Sequence, residues 1–257
     1  MTSLVQLGMI RTESDPVACS TGEKLRRLGI DGVLYDLDDT LIYTSEIFRG
    51  FMDRYVEAVA VETGIPRSVL SEALSRINDD EYKRMGVNPK RWGEVVKRLA
   101  ESLGDNSGVL ENNVDILLGI YRAEPRVRPG VKAILREMKG CGVKQGLVTH
   151  ANEEWTHWKM DVVGLWDYFS IVLIADENGH KCAEHWRRGM EMLELPPERC
   201  LVVGDSLSGD IIPAAGLGAR TVWMPSPWSV YRAGVVPEQT VQIEEFNQFL
   251  EVLDRLR

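Results

Sequence analysis

The sequence predicts an α/β fold, in which a doubly wound parallel sheet is interrupted by an inserted α-helical domain. Five short apolar runs, each four to six residues long, alternate with segments that have helical spacing. Continuous apolar runs are typical of strands that are buried on both faces, as in a parallel sheet. The runs are residues 32–35, 145–149, 170–175, 200–204 and 220–224.

Helices are predicted between the later runs. Residues 130–139 and 184–195 each carry an apolar stripe at intervals of three and four residues, which is the spacing of one helix face. A last helix is predicted over residues 244–253, and a short one near residues 23–28. Strands that alternate with helices in this way predict a sheet with helices on both faces.

The long interruption between the first and second runs has a helical pattern throughout. In residues 45–63 apolar side chains recur at i, i+4 and i+8, and we expect Ser45 to cap the start of this helix and Gly64 its end. Pro66 suits the first turn of a second helix. Residues 89–103 and 110–122 predict a third and a fourth helix.

These patterns divide the chain into three parts. Residues 1–28 are predicted to be an N-terminal extension, and residues 12–21 within it are polar and predicted to be loosely ordered. Residues 29–42 and 125–257 are predicted to form the α/β core, and residues 43–124 the helical insertion.

Charge and composition limit the classes of partner. The chain has 257 residues and a net charge of −9, whereas proteins that hold long stretches of nucleic acid need clustered Lys and Arg. The net negative charge is compatible with a small phosphorylated substrate, because one metal ion and one lysine can make the electrostatic potential of a cleft positive. With no signal peptide and no apolar run of about 18 residues, we predict a cytoplasmic location without a membrane span.

The four cysteines give no sign of a metal or redox site. Cys19, Cys141, Cys182 and Cys200 form no Cys-x-x-Cys pair, which is the spacing that marks many such sites. We therefore expect four isolated, reduced thiols.

Two acidic clusters directly follow apolar runs. Asp36 and Asp38 come after the first run, and Asp205 and Asp210 come after the fourth. Ligands of open α/β sheets bind beyond the carboxyl ends of the strands, so we expect these carboxylates at one edge of the sheet. Because converging carboxylates repel one another, the clusters favour a bound cation.

A hydroxyl and an ammonium group are predicted at the same edge. Thr149 ends the second run, and Lys181 follows a turn just past the third. Alone, the first residue is more typical of a structural hydroxyl and the second of a surface lysine. Together with the carboxylates they supply what phosphoryl transfer needs: a nucleophile, an acid and base, metal ligands, and donors for the phosphoryl oxygens.

At these residues the sequence resembles the haloacid dehalogenase (HAD) superfamily. The motifs that carry the resemblance occur in the family's order: segment 36–41 (DLDDTL) is similar to the first motif, Thr149 to the second, Lys181 to the third, and Gly204-Asp205 with Asp210 to the fourth. Segment 128–131 (RPGV) resembles the turn that leads from the cap back to the core.

The resemblance implies a Rossmann-like core and a Mg²⁺-dependent phosphatase that hydrolyses a small phosphorylated metabolite through an aspartyl-phosphate. The implied catalytic residues are Asp36 as nucleophile, Asp38 as general acid and base, and Thr149 and Lys181 as contacts of the phosphoryl oxygens, with Lys181 also restraining Asp36. The implied Mg²⁺ ligands are Asp36, the Asp38 carbonyl, Asp205 and Asp210, the last directly or through water. The helical insertion would be a mobile cap that excludes water and selects the substrate.

Two residues depart from the family pattern. His150 stands where the family usually has Asn, and Cys182 where Pro is common. The first departure bears on the turn and the phosphate contacts, and the second on the rigidity of the loop that holds Lys181.

Alternative functions stay open. Asp38 argues against carbon–halogen cleavage, because the dehalogenases of the family do not keep an Asp there, but a sugar-phosphate mutase, a phosphonate hydrolase and a catalytically idle binding or regulatory protein are alternatives. The phosphonate hydrolase would need a Schiff-base lysine, for which the candidates are Lys83, Lys90 and Lys97. The candidates for anion contact in the insertion are Arg49, Lys83, Arg84 and Arg91, and each is expected to be an ordinary solvated charge.

Overall fold

A six-stranded parallel sheet forms the centre of the computed structural model, which describes residues 20–256. The strand order is β5-β4-β1-β6-β7-β8, so β1 lies inside the sheet between β4 and β6. A separate antiparallel pair, β2 with β3, joins the two ends of the helical insertion. The strands are β1 (Gly32–Tyr35), β2 (Ile42–Tyr43), β3 (Arg126–Val127), β4 (Lys144–His150), β5 (Ile171–Ala175), β6 (Cys200–Gly204), β7 (Arg220–Trp223) and β8 (Val241–Gln242).

Helices cover both faces of this sheet, which confirms the predicted fold class. The helices outside the insertion are α1 (Ser20–Arg27), α7 (Val131–Gly140), α8 (Glu153–Val163), α9 (Ala183–Met192), α10 (Ile212–Gly216) and α11 (Phe249–Val252). Side chains of α1, α7, α8 and α11 pack on one face in a single hydrophobic cluster. Those of α9 and α10 pack on the other face. Alternate residues of β1 serve the two clusters, since Val33 and Tyr35 belong to the first and Leu34 to the second.

The segment between β2 and β3 is helical and has a hydrophobic cluster of its own. Its helices are α2 (Ser45–Thr63), α3 (Arg67–Met85), α4 (Arg91–Leu103), α5 (Val109–Asn112) and α6 (Val114–Leu118), followed by a 3₁₀ turn. Gly64 and Gly104 end α2 and α4 in the left-handed conformation, as expected for helix C-termini.

Two details of the insertion differ from the sequence analysis. The helix expected over residues 110–122 is broken at Asn113 into α5, α6 and the 3₁₀ turn, because Asn113 leaves helical geometry there. The expected cap by Ser45 is also wrong. Asp39 performs that task, since its Oδ1 accepts hydrogen bonds from the backbone N–H groups of Thr44 and Ser45 at 3.1 and 2.9 Å.

The structure tests the prediction of four reduced cysteines, but not the predictions that fall on the first 19 residues. Residues 1–19, which include most of the predicted loosely ordered stretch and Cys19, lie outside the described residues. Cys182 and Cys200 are free, but Cys141 is disulfide-bonded, so the prediction of a reduced thiol is wrong for Cys141. Motif spacing tests only cysteines that are near in sequence, whereas a disulfide depends on proximity in space.

None of the helices in the described part of the chain is both long and apolar enough to cross a membrane.

Candidate active site

The predicted site residues meet at the carboxyl edge of the sheet, where β1 separates β4 from β6. Asp36 directly follows β1, Thr149 lies near the end of β4, and Asp205 directly follows β6. The Asp36 N–H donates to the Val203 carbonyl at 2.9 Å, which continues the β1–β6 ladder by one residue. Because neighbouring parallel strands end together, three chain segments far apart in sequence deliver polar side chains to one place.

Three buried carboxylates converge at this edge. Asp36, Asp205 and Asp210 each offer an oxygen, and these oxygens lie within 4.8 Å of one another. Burial raises the pKa of Asp205 well above its usual value, and the neighbouring Asp36 and Asp210 carboxylates raise it further. Such a set of closely spaced oxygen ligands fits a hard divalent cation, whose charge would relieve the repulsion.

Lys181 is the cation that the chain itself places among these carboxylates. Its Nζ lies 2.5 Å from Asp36 Oδ1 and 2.6 Å from Asp210 Oδ1, and it donates to the Val148 carbonyl at 3.2 Å. Burial opposes the charged form of Lys181, but Asp210 and Asp36 outweigh it and raise the pKa of the ammonium group. Burial likewise raises the pKa of Asp36 to about 7 against the lowering effect of Lys181.

The loop after β6 is shaped to bring Asp210 under Lys181. The Ser206 N–H donates to Asp210 Oδ2 at 3.0 Å, and the Gly209 N–H donates to Ser206 Oγ at 2.9 Å. Gly204 is required for this approach, because a Cβ at that position would lie 2.3 Å from Asp210 Oδ2. From the neighbouring helix α9, Trp186 Nε1 donates to the Gly209 carbonyl at 2.8 Å and holds the loop from outside.

Asp38 has a partner that sequence reasoning missed. Lys159 Nζ lies 2.6 and 2.8 Å from the two carboxylate oxygens of Asp38. The Lys159 side chain is 0% exposed and the Asp38 side chain 26% exposed, while Lys159 Nζ also lies 4.0 Å from the centroid of the Trp155 ring. A signal was available: α8 was not predicted, yet Lys159 follows Trp155 by four residues on its buried stripe, where a lysine is unusual.

The two departures from the family pattern leave the local backbone intact. His150 still pairs with Ala175 in the β4–β5 ladder, and burial, then Lys181 and His180, lowers its pKa to about 4, so the imidazole is neutral near neutral pH. Cys182 is the N-cap residue of α9, and its N–H donates to His185 Nδ1 at 3.1 Å. Thr149 Oγ1 is buried and has no hydrogen-bond partner in the described chain, and the residue is 0% exposed.

A cavity of about 410 Å³ opens over this edge, between the core and the helical insertion. Asp36, Asp38, Asp205 and Lys181 line its floor. Six aromatic side chains contribute to its walls: Phe48, Tyr82, Tyr121, Trp155, Trp228 and Tyr231. Its size lies within the range of small-molecule sites, which is roughly 300–1,000 Å³.

Two of the four basic residues named as candidates for anion contact in the insertion line the cavity. Arg91 and Lys83 line it. Arg84 pairs with the buried Glu81 on α3 instead, at 2.6 Å, and Arg49 is exposed and stacks on Trp228. The expectation of a solvated charge is wrong for Arg91, which is 4% exposed. Lys90 and Lys97 are not among the lining residues.

Comparison with known proteins gives the same family as the motifs. A family model described as haloacid dehalogenase-like hydrolase matches residues 30–218. The chain is 27% identical to a glyceraldehyde 3-phosphate phosphatase of Pyrococcus furiosus over 90% of this chain and 95% of that protein. It is 27% identical to the pyrophosphatase PpaX of Bacillus cereus over 75% of this chain and 82% of that protein.

A solved structure shows the same fold. The haloacid dehalogenase-like family hydrolase of Xanthomonas campestris superimposes with a TM-score of 0.70 at 18% identity, over 88% of this chain and 91% of that one. The match of the family model over most of the chain, together with these relatives, shows that the protein belongs to the haloacid dehalogenase-like hydrolases.

Proposed function

We propose that this hydrolase is a Mg²⁺-dependent phosphatase that cleaves a small phosphorylated metabolite through an aspartyl-phosphate on Asp36. The observation that carries the proposal is the position of Asp36 on the cavity floor: its carboxylate pairs with the Lys181 ammonium and offers an oxygen within 4.8 Å of oxygens of Asp205 and Asp210. Relatives named as phosphatases support it.

The first half-reaction transfers the phosphoryl group to the chain. A carboxylate oxygen of Asp36 attacks phosphorus and the ester P–O bond breaks. Asp38, in its protonated form rather than as the ionised partner of Lys159, gives its proton to the departing oxygen. Lys181 holds Asp36 Oδ1, and we propose that Lys181 and Thr149 bind the phosphoryl oxygens. Mg²⁺, held by Asp36, the Asp38 carbonyl, Asp205 and Asp210, would supply the positive charge that a phosphoryl group needs in transfer.

The second half-reaction releases phosphate. Asp38, now ionised, accepts a proton from water, and the hydroxide attacks phosphorus so that the bond to Asp36 breaks and inorganic phosphate leaves. We propose that residues 43–124 act as a cap during these steps, because the helices of this segment supply the outer wall of the cavity. Closure of such a cap would exclude water other than the attacking molecule.

A screen of phosphomonoesters tests the function. We expect the purified protein to release phosphate from a generic aryl phosphate and from a subset of metabolite esters when Mg²⁺ is present, and to stop when EDTA is added. Phosphonates and sugar phosphates belong in the same screen. Cleavage of a carbon–phosphorus bond would favour the phosphonate hydrolase alternative instead, and an isomerised sugar phosphate would favour the mutase alternative. Activity that survives chelation would contradict the metal assignment. The cytoplasmic location stays a prediction.

Thermal unfolding tests the metal site without turnover. Burial raises the pKa of Asp36 and Asp205 in the folded chain. Between about pH 4 and pH 7 these carboxyl groups are therefore more protonated in the metal-free folded chain than in the unfolded chain. Metal-free stability should therefore fall as pH rises through this window. Mg²⁺ takes the place of those protons, so we expect it to raise Tm more at about pH 8 than at about pH 5.5.

Asp205→Asn provides the control for this measurement. The variant keeps the shape of the side chain but removes one of the repelling carboxylates, so its metal-free Tm should equal or exceed that of the wild type, and its Mg²⁺ response should shrink. NaCl at matched ionic strength separates specific binding from screening. A Tm response to Mg²⁺ that is equal at both pH values, or unchanged in Asp205→Asn, would contradict the assignment.

A further inference from the structure

Arg91, the first residue of α4, is a buried cation without a carboxylate partner. Its side chain lines the cavity, and no carboxylate oxygen of the described chain lies within 4.0 Å of its guanidinium nitrogens. The other buried cations that the structure describes at this site are paired, Lys159 with Asp38 and Lys181 with Asp36 and Asp210.

The contacts within the protein satisfy little of the Arg91 guanidinium. NH1 donates to the Gly86 carbonyl at 2.7 Å, just past the end of α3, and this is its one hydrogen bond within the described chain. Nε is buried and has no partner. Arg carries five donors and stays charged at any physiological pH, so capping one carbonyl does not offset the cost of burying the charge.

The surroundings of Arg91 favour a ligand rather than an unseen protein partner. The Asn78 side chain also lines the cavity, and its Oδ1 is buried without a partner, so a hydroxyl or N–H donor of a ligand fits there. Asp79 is the acidic lining residue on the same side, but its larger attraction is to Lys83. Tyr82 and Trp92 rings lie 5.9 and 5.1 Å from the guanidinium carbon and hold the group in place without neutralising it.

The cavity thus has a second place for negative charge, at Arg91 on the insertion, besides the core floor, where Lys181 and the proposed Mg²⁺ would meet a phosphoryl group. Aromatic side chains line the same cavity. We propose that Arg91 is a second anion subsite, and that the substrate is a phosphomonoester whose leaving group carries a further anionic group, a carboxylate or a second phosphate. This proposal rests on the proposed phosphatase function.

Matched substrate pairs test the subsite. The carboxylate arm compares 4-carboxyphenyl phosphate with phenyl phosphate, and the phosphate arm compares 1,4-butanediol bisphosphate with its monophosphate. A charge-assisted hydrogen bond in a buried site predicts that the wild type prefers the anion-bearing member of at least one pair by about 10–100-fold in kcat/KM. The arm that shows the preference identifies the source of the anion.

Variants at Arg91 assign the preference to this side chain. In Arg91→Met the preference should fall to near unity, with little change for the neutral member, and Arg91→Lys should retain part of it. Lys90→Met is the matched control, because Lys90 is the adjacent, exposed cation and does not line the cavity. Equal rates within both pairs in the wild type, or a preference that survives in Arg91→Met, would overturn the proposal.

A binding arm separates this proposal from the function on which it rests. If the wild type hydrolyses none of the four esters, the phosphatase assignment fails, and calorimetry of both substrate pairs still decides the subsite. Tighter binding of the anion-bearing member of either pair that is lost in Arg91→Met supports it, and equal binding within both pairs refutes it. The wild-type comparison needs no variant, so poor folding of Arg91→Met cannot hide the result.

Discussion

Asp36→Asn is expected to abolish turnover while the fold is retained. An amide is a poor nucleophile, and loss of a covalent nucleophile costs roughly 10⁴-fold or more in kcat. The fold should tolerate the change, because Asp36 is one of three buried carboxylates that repel one another and its removal leaves Lys181 paired with Asp210. We therefore expect a metal-free Tm no lower than that of the wild type at neutral pH.

The measurement needs two controls. Asp36→Ala should be as inactive as Asp36→Asn, which excludes slow deamidation as a source of residual rate. Asp31→Asn changes a carboxylate at the opposite end of β1, where Asp31 pairs with Arg199, and should keep kcat within about twofold. Rapid quench with labelled ester followed by peptide mapping should place the phosphoryl group on Asp36. Label on another residue, or substantial turnover in Asp36→Ala, would disprove the assignment of the nucleophile.

The sequence was sufficient to predict the sheet and the floor of the site. Strands buried on both faces are written as continuous apolar runs, and all five such runs are strands of the sheet. Since parallel strands end at one edge, residues that directly follow the runs had to lie close together, as Asp36 and Asp205 do. The strand β8 was missed because two residues, Val241 and Gln242, are too short a run to show a pattern.

The walls of the site could not be predicted in the same way. Lys159 meets Asp38 across 121 residues of sequence, and nothing local in either segment specifies that contact. The burial of Arg91 depends on how α4 packs against the end of α3. The charge of the Arg91 side chain, taken alone, predicts an exposed position. Both residues violate the rule that lysine and arginine lie at the surface. From the sequence alone no role was predicted for Lys159, and Arg91 was a candidate for anion contact that was expected to be solvated.

The Asp38–Lys159 pair gives the second large effect, which separates catalysis from stability. Asp38→Asn should lower kcat by roughly 10²–10⁴, because the positioned proton donor is lost. It should also destabilise the fold, since Lys159 is fully buried and would face an amide in place of a carboxylate. Removing one partner of a buried pair costs roughly 3–5 kcal/mol, and we expect a value at or below this range because Asn still accepts a hydrogen bond.

The double variant Asp38→Asn/Lys159→Met distinguishes the two effects. Replacing Lys159 by Met removes the unpaired buried charge and keeps an unbranched side chain beside Trp155, so Tm should recover toward that of the wild type while kcat stays low. Lys159→Met alone should cost less stability than Asp38→Asn, because the Asp38 carboxylate is partly exposed and water can solvate it.

The four proteins, which are the wild type, the two single variants and the double variant, are compared by thermal unfolding and by kcat on esters with good and poor leaving groups. If Asp38 is the general acid, its loss slows poor leaving groups more than good ones, and the double variant keeps that pattern. Recovery of kcat together with Tm in the double variant would show that Asp38 serves only to neutralise Lys159.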